Sequence, residues 1–419
     1  MHFLRSSDIL LCQKLYDIKT KGIVIQVFRN IKGCKKLIVS MSLISRARVV
    51  FVSSAVIILA SGCFQKVSLA PIDERIEQAA AIQARVPEVP ILTYHRITDT
   101  VKNGMALSPA RFRTQLTYLL KNGYTPITPD QWSRGVVYGT ELPDKPVILT
   151  FDDGWKSQYQ NAVPILKELH IPATFYIYPD VIGNNSSMSW KEVRELAQQN
   201  FTIGSHSQSH PKLPQRFSFE DEKRYSRRLT REIEDSKRLI EEHIGKPVLH
   251  FCYPYGYYNT NIIEFVRRAR YVTAVTVNPA VNGRDTSLFS MGRMIIGSDT
   301  TTEEIQKYLD SRVLNVKELL PADGIIRRNI TPALQARIVP SGTDRFTRVQ
   351  VKWNWKWKES EWNERTQTLR CRLDQPLKQG SYSAQIHAWD GKSNHFVYAW
   401  QFQQDSIETV KNEETRRIQ

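Results

Sequence analysis

The chain has 419 residues, 24% charged and 41% hydrophobic, which is ordinary globular composition and length enough for two or three domains. Its net charge of +16 is unevenly placed: residues 1–62 hold ten Lys/Arg against two Asp/Glu, so half of the excess lies there. The rest is spread thinly, and with no phosphate-cradling glycine loop, basic helix or aromatic RNA motif, nucleotide and nucleic-acid partners find no support.

In chain order, the first signal is "SRARVVFVSSAVIILASGC", where Arg46 and Arg48 precede fourteen uncharged residues, Val49–Gly62, and then Cys63. That run is short for a bilayer span and has the grammar of an export signal; an uncleaved anchor helix is the other reading. Ala60, Ser61 and Gly62 before Cys63 resemble a bacterial lipobox, whose cysteine becomes the lipid-modified first residue of the mature protein. Residues 41–62 are therefore expected to be a lipoprotein signal peptide, residues 1–40 an upstream extension, and residues 63–87 a polar tether. On either reading the body lies outside the cytoplasm, at the periplasmic or extracellular face of the envelope.

From 88 to about 312 strand and helix alternate. "VPILTYHRI" reads as a strand, and "SPARFRTQLTYLLKNGY" as a helix capped by Ser108, with Pro109 in its first turn and Gly123 as its stop. "PVILTF", "PATFYIYP", "FTIGSH", "PVLHFCYPYG" and "VTAVTV" continue the strands, with helical patterns between them. Such βα repetition predicts an α/β fold, an irregular (β/α) barrel. From 324 to 404 the helical period is absent. "FTRVQVKWNWKW", "TQTLRCRL", "GSYSAQIHAW" and "FVYAWQF" alternate as strands of a small all-β sandwich, and residues 405–419 form a charged tail. The stretch around "GSYSAQIHAWD" resembles the ends of bacterial immunoglobulin-like modules. Cys252 and Cys371 fall in different domains, so buried free thiols are expected rather than a disulfide.

Two stretches carry chemistry. "PVILTFDDGW" ends an apolar strand in two adjacent carboxylates, Asp152 and Asp153. Like charges repel unless a cation, a proton or a division of labour separates them; a turn with a helix cap is the plainer account. "IGSHSQSH" places His206 and His210 four apart at another strand end. Two histidines converging with one carboxylate make a three-ligand metal site, and the second carboxylate is then free to act as a base.

On these residues the chain resembles the polysaccharide deacetylases of the NodB-homology type, over residues 88 to about 312. "TFDDG" is similar to their first motif, "HSQSH" to their second, and "YPYG" to their third. The resemblance implies that Asp153, His206 and His210 hold a divalent metal, usually zinc, that Asp152 is the general base, and that a backbone N–H near Tyr255 stabilises the oxyanion. It implies removal of N-acetyl groups from an acetylated polysaccharide, with an O-acetyl esterase or a non-catalytic carbohydrate-binding lipoprotein as alternatives.

Two departures follow. Cys252 stands where the third motif usually begins with an arginine that pairs with the base; Arg293, in the apolar "SMGRMII", is a candidate replacement, or else forms an ion pair elsewhere. No late acid histidine is found, but members resembling the poly-N-acetylglucosamine deacetylases have a permuted order with an early "YH" strand, and His95 in "ILTYHRI" is the candidate general acid. Tyr255, Tyr257, Tyr258, Trp155 and Trp190 lie near strand ends and are read as sugar-stacking or packing residues. Trp353, Trp355 and Trp357 alternate along "VKWNWKW", so period two puts the three rings on one face, either a carbohydrate platform or the core side of the sandwich.

Overall fold

The computed structural model describes residues 86–404 apart from 101–103, 200, 328–332, 341–344 and 373–376, together with five strands between Leu15 and Ile58. Cys63, most of the 63–87 stretch and the 405–419 tail lie outside the described residues. The five early strands, Leu15–Thr20, Ile23–Arg29, Lys36–Ser45, Arg48–Phe51 and Ala55–Ile58, pair antiparallel in one sheet that belongs to a separate unit. Among the described residues no helix is long and apolar enough to cross a membrane.

The α/β part is built on eight strands: β1 Ile91–Tyr94, β2 Thr125–Ile127, β3 Pro146–Asp152, β4 Thr174–Ile177, β5 Thr202–Ser205, β6 His250–Cys252, β7 Thr273–Val275 and β8 Met294–Ile295. All pairings are parallel, in the order β7-β6-β5-β4-β3-β1-β8, with β2 beside the first half of β3. A single bridge from Val275 to Met291 carries the sheet from β7 to the approach of β8, which makes the barrel irregular. Helices cover the outside: α1 Pro109–Lys121, α2 Pro129–Tyr138, α3 Val163–Glu168, α4 Trp190–Gln198, α5 Glu222–Thr230, α6 Ser236–Ile244, α7 Thr260–Arg268 and α8 Thr302–Leu309. Their starts are chemically specified: Ser108, Thr128, Ser189, Asn259 and Thr301 each accept a hydrogen bond from a first-turn N–H. A π-helical segment, Arg231–Asp235, joins α5 to α6 within the charged 219–244 stretch.

Period two decides what the barrel interior contains. In β3, Val147, Leu149 and Phe151 face the helix layer, whereas Ile148 lies in a second cluster with Ile91, Tyr176, Cys252 and Met291 inside the barrel. Phe151 is wholly buried and stacks between Tyr94 and Phe175, at 5.5 and 4.8 Å, a burial that contributes about 1.5–3 kcal/mol. The same alternation turns Thr150 and Asp152 inward, along with His95, His206 and Cys252 at the carboxyl ends of their strands. Local strand geometry thus brings together the residues that sequence separates by more than a hundred positions.

The all-β part is a sandwich of two sheets. One orders Arg312–Val313, His395–Gln404, Gly380–Asp390, Phe346–Trp353 and Lys356–Lys358; the other orders Val316–Leu320, Ala333–Ile338, Thr368–Arg372 and Glu361–Asn363. Two of these strands precede residue 324. Leu334, Ala336, Ile338, Val349, Val351, Trp353, Ile386, Trp400 and Phe402 fill the space between the sheets.

The expectation that three tryptophans share one face does not hold. Asn354 and Trp355 both have positive φ, 42° and 68°, the conformation of a two-residue hairpin turn, so the chain reverses between Trp353 and Trp357. Trp353 is buried against Tyr382 and Phe402, Trp355 sits at the turn and is 55% exposed, and Trp357 pairs across from Lys352 on the opposite face, 51% exposed. Asn354 stabilises the turn by exchanging two hydrogen bonds with the Ser383 main chain. Cys252 and Cys371 are buried and not joined in a disulfide.

Candidate active site

At the carboxyl rim of the barrel, Asp153, His206 and His210 bring three ligand atoms together. His206 Nε2 lies 3.1 Å from His210 Nε2, and Asp153 Oδ1 is 3.6 Å from each. A tetrahedral cation with bonds of about 2.05 Å needs donors about 3.3–3.4 Å apart, so the triad fits one ion. The second atom of two of the three is accounted for. His206 Nδ1 donates to the Cys252 carbonyl at 2.9 Å, which fixes the tautomer with Nε2 free, and Asp153 Oδ2 accepts from Trp155 Nε1 at 3.0 Å. Burial, with His206 alongside, holds His210 down at about 4, so its ring is neutral at physiological pH, as a ligand must be. Tyr178 and Tyr255 pack against it, with ring centroids 5.2 and 4.6 Å away.

The backbone here is unusual in the way functional rims often are. Asp153, Ser207, His210 and Tyr255 all have positive φ, between 58° and 76°. The second-motif turn is held by Glu232, a wholly buried carboxylate in the π-helical segment, which accepts from the N–H of Gln208 and Ser209 and from the Ser209 hydroxyl. An extra residue in the helical turn aims Glu232 at that loop. Sequence reading missed it, because a Glu in a charged helix gives no sign of facing inward.

Asp152, 2% exposed, lies beside the triad in the barrel mouth, with a carboxylate oxygen, a His206 ring nitrogen and Cys252 Sγ all within 4.8 Å of one another. Arg293, wholly buried, grips both its oxygens, Nη1 to Oδ1 at 2.8 Å and Nη2 to Oδ2 at 2.7 Å. The remaining donors of Arg293 reach the Thr276 carbonyl, the Thr150 hydroxyl and Cys252 Sγ, so all five N–H groups of the guanidinium are used. Burial works to raise the Asp152 pKa, and Arg293, with smaller help from His206 and His95, reverses this and holds the carboxyl well below the usual carboxylate range. Arg293 enters from just before β8 and reaches across the barrel to Cys252 Sγ on β6, 3.1 Å away.

His95 stands at the end of β1, tied to β3 by Gln158, whose amide donates to the carbonyls of both His95 and Asp152 at 2.8 and 2.6 Å. Its Nδ1 is buried with no hydrogen-bond partner among the described residues. The third motif forms a tight turn, Pro254–Gly256, at the end of β6, and the Tyr255 N–H has no acceptor among the described residues. The Tyr255 ring is half-exposed beside Lys212. Of the other aromatic candidates, Trp155 stacks under the Arg96 guanidinium, 3.4 Å from its ring centroid, and lies at the rim; Tyr257 is partly exposed. Tyr258 is 1% exposed and faces the sandwich, and Trp190 packs on His243, so neither lines the rim.

The sequence model of the polysaccharide deacetylase family matches residues 139–274, which include both aspartates, both histidines and the third-motif turn but neither His95 nor Arg293. The chain is 27% identical over 236 residues to the provisionally named polysaccharide deacetylase YxkH of Bacillus subtilis, covering 56% of this chain and 81% of that one. It is 25% identical over 269 residues to the poly-β-1,6-N-acetyl-D-glucosamine N-deacetylase of Escherichia coli, covering 55% of this chain and only 39% of that relative's length. Among solved structures it is similar to a Streptococcus pyogenes deacetylase in complex with acetate, at 26% identity and a TM-score of 0.49, over 53% of this chain and 98% of that one.

Proposed function

Residues 139–274 are a domain of the polysaccharide deacetylase family, and from that premise we propose that the chain removes N-acetyl groups from an envelope or extracellular glycan of the poly-N-acetylglucosamine kind. One observation carries the reading: three donors spaced for a single cation stand beside a carboxylate that Arg293 keeps ionised. Asp153, His206 and His210 would hold a divalent cation, zinc by the nature of the donors, which would polarise the acetyl carbonyl and acidify the attacking water.

The other roles belong to the chain itself. Asp152 Oδ2 accepts from both Arg293 and the Cys252 thiol, whereas Oδ1 keeps one lone pair after its Arg293 bond, enough to take a proton from water. The negative charge that grows on the acetyl oxygen meets the Tyr255 N–H, whose lack of a partner suits it to that task. His95 gives a proton to the departing amine through Nε2, its Nδ1 being turned inward. Tyr255 and Trp155 offer ring faces to the sugar. The same reading sets the body outside the cytoplasm on a lipid attached at Cys63, supported by the basic, apolar and small-residue order of residues 46–63.

The test is acetate release by the purified protein from β-1,6- and β-1,4-linked N-acetylglucosamine oligomers, with and without chelator. Chelator-sensitive release is expected, falling by about 10²–10⁴ in Asp152→Asn and His95→Ala. His206→Ala is expected to lose both the bound zinc and the turnover. A zinc-loaded, folded protein that releases no acetate from either oligomer, but does so from O-acetylated glycan, would replace the amide substrate with an ester. A His95→Ala protein with undiminished turnover would remove that residue from the mechanism.

A further inference from the structure

The turn that presents the Tyr255 N–H is held from outside the barrel. Gly256 has φ 72°, and a Cβ there would meet Val277 within 2.5 Å, so only glycine lets the turn pack so closely. Within the turn, the Gly256 N–H bonds to the Tyr253 carbonyl and the Tyr257 N–H to the Pro254 carbonyl. The Gly256 carbonyl is then taken by the side chain of Gln401, Nε2 to O at 2.7 Å. Gln401 belongs to the sandwich strand His395–Gln404 and is 2% exposed.

Gln401 is itself anchored. Its N–H donates to Asp323 at 3.2 Å and its carbonyl accepts from the Gly324 N–H at 2.7 Å, while the Tyr258 hydroxyl donates to Asp323 at 2.5 Å. Two further contacts flank it. Asn259 Nδ2 donates to Gln403 Oε1 at 2.8 Å, and the Ser383 hydroxyl donates to Asn278 Oδ1 at 3.2 Å; the Asn278 carbonyl in turn accepts from the Arg293 N–H. The sandwich therefore touches both the turn that carries Tyr255 and the main chain that carries the partner of Asp152.

We propose that the sandwich is a working part of the catalytic unit, and that Gln401 is a positioning residue that fixes the Gly256 carbonyl and thereby the direction of the Tyr255 N–H. This rests on the deacetylase reading above. An oxyanion donor acts through its direction, and a peptide turn pinned at both N–H groups and at its last carbonyl cannot rotate that donor away. A spacer domain requires no such bond, since any apolar seam would hold it in place. A glutamine supplies an uncharged donor, so the bond persists across the pH range.

The test uses the full chain, loaded with zinc, with Gln401→Leu, Gln401→Asn and the control Gln403→Leu, whose side chain bonds to the Pro214 carbonyl and Asn259. Hydrogen exchange of the peptide spanning Tyr253–Tyr258 is read beside kcat, KM and zinc affinity. Gln401→Leu and Gln401→Asn, too short to reach, are expected to speed exchange in that peptide about ten-fold or more. They are expected to lower kcat by about 10- to 100-fold, with KM and zinc affinity unchanged. Unchanged exchange and kcat in the folded variants would overturn the proposal, as would an equal loss in Gln403→Leu, which would mean that only the seam matters. If Gln401→Leu does not fold, Gln401→Asn decides. Should the wild type release no acetate, the deacetylase reading fails separately, and the exchange measurement still decides whether Gln401 holds the turn.

Discussion

At the rim, Asp152 meets a guanidinium on both oxygens, whereas at the seam with the sandwich Asp323 is met by neutral donors: the Tyr258 and Ser290 hydroxyls and the N–H of Gln401. Dense packing pushes both carboxyls upward in pKa. Only Arg293 reverses the effect, leaving Asp152 well below the usual range, while Asp323 is pushed up to about 6. Two side chains of one type thus do different work. One is a fixed anion, and the other is a strut whose charge changes near neutrality.

The strongest way to break this contrast is to remove the cation. In Arg293→Met, burial acts on Asp152 against only the smaller pull of His206 and His95, so its carboxyl is expected to hold a proton at neutral pH and acetate release to fall to the level of Asp152→Asn. The loss of a buried partner should also cost about 3–5 kcal/mol of stability, read as a lower urea midpoint. Combining Arg293→Met with Asp152→Asn should return much of that stability and none of the activity, because an uncharged pair no longer buries a lone charge. Turnover persisting in Arg293→Met would show that Asp152 does not depend on the guanidinium.

How far the sequence revealed this contrast depended on range along the chain. The barrel strands, the Ser108 cap and the two metal-side motifs were legible because each is written within about ten consecutive residues. The grip on Asp152 joins positions 141 apart, and the bond from Gln401 to Gly256 joins positions 145 apart, so neither leaves a local pattern. Arg293 could be nominated because a guanidinium in an apolar strand demands a partner; Gln401, an ordinary polar residue in an alternating strand, made no such demand. The tryptophans failed for a different reason. Period two holds only while the backbone stays extended, and the left-handed pair Asn354–Trp355 inverts it. Trp353→Ala should therefore cost about 3–5 kcal/mol as a large ring leaves a packed core, whereas Trp357→Ala should change stability by less than about 0.5 kcal/mol. Equal losses at the two positions would restore the single-face reading.

A small, pH-dependent effect tests the seam side of the contrast. The folded value of Asp323 lies above the ordinary carboxylate value of about 3.9, so the stability it contributes is fully present below that pH and is lost as pH rises through about 6. Asp323→Asn cannot titrate, yet its amide oxygen can still accept from Tyr258 and Gln401. The stability of the wild type relative to Asp323→Asn is then expected to decline between about pH 4 and pH 6 and to level off above about pH 7. Because Asp323 keeps part of its surface open to solvent, the change should be no more than about 1–2 kcal/mol. Urea midpoints of the two proteins across that range decide it. A difference that is flat with pH would mean that the neutral donors stabilise the charge of Asp323 as fully as Arg293 does that of Asp152, and the contrast between rim and seam would then lie in geometry alone.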